Sequence, residues 1–321
     1  SIALAFLAFG LWLRLARFRR LRLRAVLFVP ISFIVYFCHT FGWGLLGLLC
    51  YSAEAVRQHD EGANWWKAGL KAIPHAMVMA GPAVLILLWR VEVAKNMTRH
   101  LFDWNRKLDW IESALRDRWR WFDLAMLGIA GLVFLWAAVS RRLTFSRNLA
   151  FSALVLALAF ILLPWKLFGS AYADMRLAPY AMAVILLAIR EKGPGLGRSA
   201  SLVAVAAFAF WGAKVAATSL SLGIAANEQE QRLAALAHVP PGARLVTLVG
   251  ERCERTWPLF RNSHLPSMAI VRRHAFGNDQ WAIEGANLLK VTYDAAGPFR
   301  SDSSQMVKPN GCTRKTIWTI D

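Results

Sequence analysis

Long apolar runs are the feature of this 321-residue chain that most limits its fold. A helix needs about 20 apolar residues to cross roughly 30 Å of hydrocarbon. The runs that meet or approach this length are 25–51, 72–90, 122–139, 148–165, 177–190 and 199–218, and 1–13 has the composition of the end of another. With 57% hydrophobic residues, the sequence predicts a mainly α, polytopic transmembrane helical bundle and excludes a disordered or collagen-like chain.

The positive charge of the chain follows the same organisation. Lys and Arg number 38 against 20 Asp and Glu, which gives a net charge of +18. In a soluble protein this excess would suggest nucleic acid as a partner, but here it gathers between apolar runs, at 14–24, 141–147 and 190–198. Cytoplasmic membrane loops carry charge in this way. The sequence therefore predicts membrane lipids, and no nucleic acid, as partners.

Run 72–90 decides the predicted topology. If every run crosses once, three spans separate the basic loop 14–24 from the basic loop 141–147. The second loop then lies outside, which breaks the positive-inside rule. Pro74 and Gly81-Pro82 interrupt this run, and proline removes a helical hydrogen-bond donor. We therefore expect 72–90 to enter and return, or to lie in the interface. All three basic loops then face the cytoplasm, and 52–121, the loop 166–176 and the C-terminal domain face outward.

Two segments differ from the apolar runs. Segment 91–121 is too charged to cross, but its apolar residues recur every three to four positions. It is expected to lie along the interface as an amphipathic helix, or equally to pack on the protein as a solvated helix. From 236 onward, short β-type runs at 243–250 and 288–293 alternate with Pro, Gly and Asn. The predicted domains are a membrane region, 1–235, and a small soluble α/β domain, 236–321.

The cysteines bear on the compartment of that domain. Cys253 and Cys312 are its only two cysteines, which favours a disulfide in an oxidising compartment, with two free thiols as the alternative. Cys38 and Cys50 lie in an apolar run and fit core positions. No cysteine and histidine spacing typical of zinc occurs, so no metal or cofactor site is predicted.

Ionisable residues beside apolar spans are the candidates for binding, because they are costly unless paired or functional. The loop between two runs carries Lys166, Asp174 and Arg176. Arginine binds phosphate in a bidentate fashion and aspartate accepts from sugar hydroxyls, whereas a local ion pair is the structural alternative. His39 and Glu54 are further candidates, with a buried neutral histidine and a helix-end charge as their structural alternatives.

The order of these features resembles a known class of enzymes. The stretch VYFCHTFGWGLLGLLCYSAE (35–54), a lysine-containing interfacial segment, the loop GSAYADMRLAP (169–179) and a terminal exported domain resemble bacterial membrane glycosyltransferases of the GT-C superfamily. They are also similar to uncharacterised proteobacterial integral membrane proteins grouped near that class. The resemblance covers most of the chain through loose motifs. It implies a multi-pass protein of the bacterial inner membrane with a periplasmic C-terminal domain.

The resemblance also implies a reaction. A sugar would pass from a polyprenyl-phosphate-linked donor lipid to a cell-envelope glycan or lipid acceptor at the periplasmic face. The acidic catalytic residue of the family lies in the first outward loop. This sequence lacks that loop and looks like a C-terminal fragment, so the catalytic residue is unknown. Asp174 and Arg176 would line the donor-phosphate or acceptor site, and Lys166 would neutralise phosphate charge.

Other functions remain open at this point. A divalent metal assists some members of the superfamily, although no metal site is identified in this sequence. The alternatives to a glycosyltransferase are a non-enzymatic assembly or export component and a polysaccharide polymerase or transporter. The few ionisable residues within the runs argue against a transporter, since transport paths through a membrane are lined by polar groups.

Overall fold

The fold is mainly helical, as predicted, with 65% helix and 6% strand. The computed structural model describes residues 1–88, 98, 100–167, 170–193, 198–254, 256–282, 289–309, 312 and 318–320. The chain forms two compact units. Unit 1 comprises Ser1–Ala114 and Leu127–Leu196, and unit 2 comprises Leu115–Met126 and Gly197–Asp321. The predicted domain boundary after residue 235 stays a prediction.

Eleven α-helices and seven short strands form in the described part of the chain. The helices are α1 (Ile2–Arg17), α2 (Leu21–Cys38), α3 (Thr40–Asp60), α4 (Trp65–Met77), α5 (Gly81–Leu88), α6 (Trp104–Glu112), α7 (Arg120–Val139), α8 (Arg147–Leu162), α9 (Ala178–Leu187), α10 (Arg198–Leu233) and α11 (Met268–Arg273). The strands are β1 (Leu143–Phe145), β2 (Lys166–Leu167), β3 (Ser170–Ala171), β4 (Ile189–Glu191), β5 (Val249–Gly250), β6 (Met306–Pro309) and β7 (Trp318–Ile320).

The predicted single span 25–51 is two helices that form a hairpin. His39 has extended backbone angles, φ −179° and ψ 128°, and separates α2 from α3. Arg24 Nη2 donates to Glu54 Oε2 at 2.9 Å, which joins the start of α2 to the end of α3. Near the turn, the rings of Tyr36 and Trp43 are 5.9 Å apart. The two helices are therefore antiparallel, a reversal that uniform hydropathy does not reveal.

The core of unit 1 surrounds α3. Trp12 from α1, Phe28 from α2, and Leu46 and Leu49 from α3 are at most 1% exposed. Ser52 of α3 and Ser152 of α8 share a hydrogen bond of 2.6 Å between their Oγ atoms. Small and hydroxyl side chains of this kind let helices approach closely and bond across their interface.

Run 72–90 is a bent helix pair, although residues 89 and 90 lie outside the described part. Helices α4 and α5 meet at an angle of 70°. The ring of Trp65, at the start of α4, stacks on His59 at 4.0 Å, and beyond α4 the Met79 carbonyl accepts from Trp43 Nε1 at 2.8 Å. Trp43 and His59 are roughly 24 Å apart along α3. Helix α4 therefore carries the chain along most of α3.

The break between α4 and α5 requires a small residue. A Cβ atom at Gly81 would lie 2.8 Å from two ring atoms of Phe33. Carbon atoms attract one another at about 3.5–4.0 Å, and shorter contacts are repulsive. Glycine thus allows the start of α5 to pack directly against α2.

Contacts within unit 1 define two ends of its bundle. We name one the Glu54 end, where α3 finishes. There, Arg147 Nη1 at the start of α8 is 2.6 Å from Asp60 Oδ1. Antiparallel pairing of β1 with β4 brings together the basic loops 141–147 and 190–198. Arg24, at the end of the basic loop 14–24, bonds Glu54 at the same end. All three predicted cytoplasmic loops therefore lie at the Glu54 end.

The opposite end is named the His39 end, after the turn between α2 and α3. The Trp165 N–H donates to the His100 carbonyl at 3.3 Å, so the loop after α8 meets the segment before α6. Lys107 of α6 pairs with Asp174 at 3.2 Å. Arg176 Nη1 lies 3.4 Å from His39 Nε2. The described part of the loop 163–177 and helix α6 therefore share the His39 end with the turn.

Several helices are long and apolar enough to cross a membrane. Among the described residues these are Leu21–Cys38, Arg120–Val139 and Ser201–His238, with α4 and α5 as a fourth if the bent pair is one span. Helix Ser201–His238 has no buried residue in its most apolar stretch. Since α10 is about 54 Å long, it also extends beyond the hydrocarbon layer. These helices agree with the predicted membrane association.

The predicted amphipathic segment 91–121 contains one short helix, α6, and its residues 91–97 and 99 lie outside the described part. Asp103 Oδ1 accepts from the Arg106 N–H at 3.3 Å and caps the helix start. Trp104, Leu108 and Ile111 are exposed. The adjoining face, with Lys107 and Trp110, is buried. An exposed apolar face on a short helix suits the membrane interface.

Less strand forms after residue 236 than the sequence predicts. Strands β5, β6 and β7 make a parallel sheet. Within the predicted strand 243–250, only Val249–Gly250 pairs in this sheet, because the preceding N–H groups donate to the Phe276 carbonyl and to Asn278 Oδ1. Residues 289–293 form no strand, and residue 288 lies outside the described part.

The structure pairs Cys253 with Cys312, as predicted, with their Cα atoms 5.4 Å apart. Cys50 is buried and fits the predicted core position, whereas Cys38 is exposed. The disulfide links residues 59 positions apart. It joins the segment that follows β5 to Cys312, which follows β6 in the chain.

Loss of this disulfide is expected to destabilise unit 2. A Cys312→Ser variant should lose about 2–4 kcal/mol, the usual contribution of a disulfide that closes a long loop. Limited proteolysis in nanodiscs would detect this as faster cleavage within residues 236–321. The matched control is Cys38→Ser, which removes an exposed free thiol. Equal cleavage rates for the two variants would contradict the prediction.

Candidate functional site

The structure divides the predicted site residues between the two ends of unit 1. Glu54 lies at one end, whereas His39, Asp174 and Arg176 lie at the other. Lys166 is in β2, opposite Ala171 of β3, in the same loop as Asp174 and Arg176. These five residues therefore do not form one site.

Glu54 is the centre of a buried polar cluster. It is 1% exposed, and it accepts from Arg24 Nη2 at 2.9 Å, from Arg57 Nε at 3.0 Å and from Gln58 Nε2 at 3.0 Å. The guanidinium of Arg24 also stacks over the Trp12 ring at 3.8 Å. Both oxygens of Glu54 are thus occupied by the chain itself, which fits a role in joining α2 to α3.

Asp174 is also held by the chain itself. It is 2% exposed, and its Oδ2 accepts from Lys107 Nζ at 3.2 Å while its Oδ1 accepts from the Met175 N–H at 2.8 Å. Lys107 Nζ donates as well to the carbonyls of Phe160 and Leu163, at 2.7 and 3.0 Å. An ammonium group has three donors, and these three acceptors match them. The pair fastens α6 to the end of α8.

Lys107 is the residue that the sequence reasoning missed. Its only sequence signal is its place within the apolar stripe of α6, three residues after Trp104 and directly before Leu108. A charged residue there needs a partner if its face is buried. That partner, Asp174, is 67 positions away, and the sequence alone does not indicate the pairing.

Arg176 faces the turn between α2 and α3. Its Nη1 atom lies 3.4 Å from His39 Nε2, and its guanidinium is 5.9 Å from the centre of the Phe41 ring. Phe41 contacts Tyr180 at 6.2 Å between ring centres. Aromatic rings from α3 and α9 thus support the arginine, whose side chain is half-buried.

Which nitrogen of His39 carries the proton determines whether Nε2 donates or accepts in its contact with Arg176. His39 Nδ1 accepts the Phe41 N–H at 3.1 Å and caps α3. While Nδ1 accepts in this cap, the proton of a neutral ring is assigned to Nε2, which faces Arg176. Partial burial and the nearby charge of Arg176 lower the pKa of His39, which keeps the ring neutral at physiological pH. Two donors consequently face each other, and we call them the His39–Arg176 donor pair.

A donor pair of this kind suits an anion. One oxygen of a phosphate or carboxylate can accept from Nε2 and Nη1 together, and hydrogen bonds to charged groups are the stronger ones. The N-terminus of α3 adds positive potential at the same position. By contrast, no group of three or more His, Cys, Asp or Glu residues in the described part of the chain could hold a metal ion.

No protein family, curated protein or solved structure matches the chain. A function is therefore proposed from the geometry of the chain together with the resemblance of its sequence.

His39 predicts a pH dependence of stability. Because the folded pKa lies below its ordinary value of about 6.5, its contribution is present above that value and is lost as pH falls through the lowered pKa. Protonation places a partly buried charge beside Arg176 and also removes the Nδ1 acceptor that caps α3. Thermal unfolding in nanodiscs across mildly acidic pH would measure the loss. His39→Asn keeps an N-cap acceptor without titrating, so a flatter acid profile is expected. An unchanged profile would exclude His39 as the source.

Proposed function

We propose that this chain belongs to a membrane glycosyltransferase that takes a sugar from a polyprenyl-phosphate-linked donor and passes it to a cell-envelope glycan or lipid. The His39–Arg176 donor pair is assigned to the donor phosphate. The single observation that carries the proposal is the contact of 3.4 Å between Arg176 Nη1 and His39 Nε2, which are both donors in the tautomer of His39 that caps α3. The GT-C resemblance supplies the reaction.

The surroundings of the donor pair support a lipid-borne phosphate. Helix α6, whose exposed Trp104, Leu108 and Ile111 suit the interface, lies at the same end of unit 1. The phosphate of a polyprenyl lipid stays at headgroup depth while its chain enters the hydrocarbon. A basic, tryptophan-bearing surface at that depth meets both parts of such a lipid.

The topology that accompanies the proposal puts the donor pair on the periplasmic side. If α2, α3, the bent pair and α7 each cross, an even number of spans separates the first basic loop from the second. Both then face the cytoplasm, as the charge rule requires. The bent pair becomes a broken span, in place of the expected return of 72–90. The His39 end then faces outward at the bacterial inner membrane.

The C-terminal part of the chain is also outward in this topology. Crossings by α8 and α9 return the chain to the cytoplasm at the third basic loop, and α10 leads it out again. The disulfide between Cys253 and Cys312 supports this location, since disulfides persist in oxidising compartments. We assign residues 236–321 to a small soluble α/β domain in the periplasm.

The chemistry assigned to the donor pair is charge stabilisation. When the bond between sugar and phosphate breaks, negative charge grows on the departing phosphate oxygen. Donors already fixed in place stabilise that charge without reorganising. Arg176 supplies a permanent charge, and neutral His39 supplies a directed N–H. No residue of this chain is assigned as the catalytic base.

The test compares two lipids that differ only in the phosphate. The purified chain in nanodiscs would be titrated with undecaprenyl phosphate or with undecaprenol, and the retained lipid would be measured by native mass spectrometry. Clear preference for the phosphate is expected, because only it offers acceptors to the donor pair. Equal retention would reduce the interaction to lipid packing and would overturn the proposal.

A further inference from the structure

Unit 2 contains a cavity that the proposed reaction does not use. Its volume is about 680 Å³, within the usual range for small-molecule sites of about 300–1,000 Å³. The charged residues that line it are Asp117, Arg118, Glu228, Arg252, Glu254 and Arg261. Trp257 and Phe260 add aromatic surface.

One wall of the cavity is fixed by hydrogen bonds. Ser221 Oγ of α10 donates to Asp117 Oδ1 at 3.1 Å, and Arg261 Nη2 donates to the same oxygen. The Leu259 N–H donates to the Asp117 carbonyl at 3.0 Å. Arg116 Nε donates to the Trp257 carbonyl at 2.6 Å. Residues 256–261 are thus held against the start of unit 2, and a site built on them is ordered before binding.

Asp117 belongs to the wall of this cavity and not to its open surface. Its side chain is 8% exposed, and its Oδ2 atom is fully buried, without a hydrogen-bond partner among the described residues. A ligand in the cavity would instead meet the exposed side chains of Arg252, Glu254 and Phe260.

The charges of the cavity narrow the class of ligand. Three carboxylates, from Asp117, Glu228 and Glu254, and three guanidinium groups leave the lining without net charge. Two of these pairs are bonded to each other, Asp117 with Arg261 and Glu228 with Arg118. A lining without net charge favours neither a strong anion nor a strong cation. A hydroxyl group satisfies both kinds of side chain, because it donates to a carboxylate and accepts from a guanidinium. The aromatic rings can cover the apolar face of a sugar ring.

We propose that this cavity binds a neutral saccharide. The ligand is held by hydroxyl contacts to the acidic and basic side chains and by packing on Trp257 and Phe260. This inference goes beyond the transfer reaction and does not depend on the donor pair. It assigns to unit 2 the recognition of a glycan, whether or not unit 1 transfers one.

Saturation-transfer NMR on the full chain in a sugar-free amphipol tests the proposal. The probes are glucose, galactose, mannose and N-acetylglucosamine. Transfer to at least one of them is expected, with affinity reduced about fivefold or more in Arg252→Ala and in Phe260→Ala, the effect of one lost hydrogen bond or aromatic contact. Both side chains are exposed at the cavity, so these changes leave the polar network around Asp117 intact.

The matched control is Arg300→Ala, which removes an exposed arginine of unit 2 that bonds Asp294 outside the cavity. It is expected to bind as the unmodified chain does. The proposal is overturned if no probe receives saturation, or if the cavity variants and the control bind equally. It is also overturned if inorganic phosphate or lysine binds at the cavity and the sugars do not. None of these results depends on polyprenyl phosphate, so failure here is distinct from failure of the proposed transfer.

Discussion

Replacing Arg176 by alanine is expected to weaken binding of undecaprenyl phosphate by about tenfold or more while the protein stays folded. The lost interaction is a hydrogen bond to a charged group, about 1.5–3 kcal/mol, and about 1.4 kcal/mol corresponds to a factor of ten. Stability is expected to hold because Arg176 is half-buried and bridges no helices through an ion pair among the described residues. Lipid titration followed by native mass spectrometry measures the change.

Arg106→Ala is the matched control for Arg176→Ala. Arg106 also lies at the His39 end, but Asp103 already accepts from its Nε at 2.8 Å, and its guanidinium lies 4.8 Å from the centre of the Trp165 ring. It carries the same charge without an open donor pair. Arg176→Lys should be intermediate, since lysine keeps the charge but not the planar fork. Equal losses of lipid binding in Arg176→Ala and Arg106→Ala would show that binding depends on net charge and not on the donor pair.

The second large effect concerns stability. Lys107→Met or Asp174→Ala alone is expected to cost about 3–5 kcal/mol, because each leaves its partner buried and uncompensated. Both side chains are 2% exposed. The double variant should recover much of the loss, since it removes both charges. Asp174→Ala is thus expected to lower abundance, in contrast to the sequence-based expectation that Asp174 lines a binding site.

Thermal unfolding in nanodiscs would measure this cycle, with Lys166→Met as the matched control. Lys166 is half-buried, and no ion pair to its side chain occurs among the described residues. Its replacement should change stability little. Strictly additive losses for Lys107→Met and Asp174→Ala would show that the two side chains are not coupled and would contradict the assignment.

The sequence predicted those features that depend on composition within one segment. Apolar run length predicted a mainly helical membrane fold, and two isolated cysteines predicted the disulfide. The reversal at His39 was not predictable in the same way, because apolar residues continue on both sides of it. Only the side chain of His39, which caps α3, distinguishes the turn from continuous helix.

The candidate site required contacts across long separations. Asp174 and Arg176 are two positions apart and were expected to act together, yet one is buried against Lys107 and the other faces His39. Sequence spacing identified the right loop. It could not indicate which side chain turns inward, because that depends on a helix 67 positions earlier in the chain and a turn 137 positions earlier.

The hairpin of α2 and α3 bears on how the protein enters the membrane during synthesis. Helix α3 carries Glu54 and Arg57, so on its own it would partition poorly from the translocation channel into lipid. Arg57 pairs with Glu54 within α3, and Arg24 of α2 adds its charge-assisted bond once the two helices lie side by side. We expect α2 to remain at the translocation channel until α3 has been synthesised, so that the two helices enter the lipid together as a hairpin.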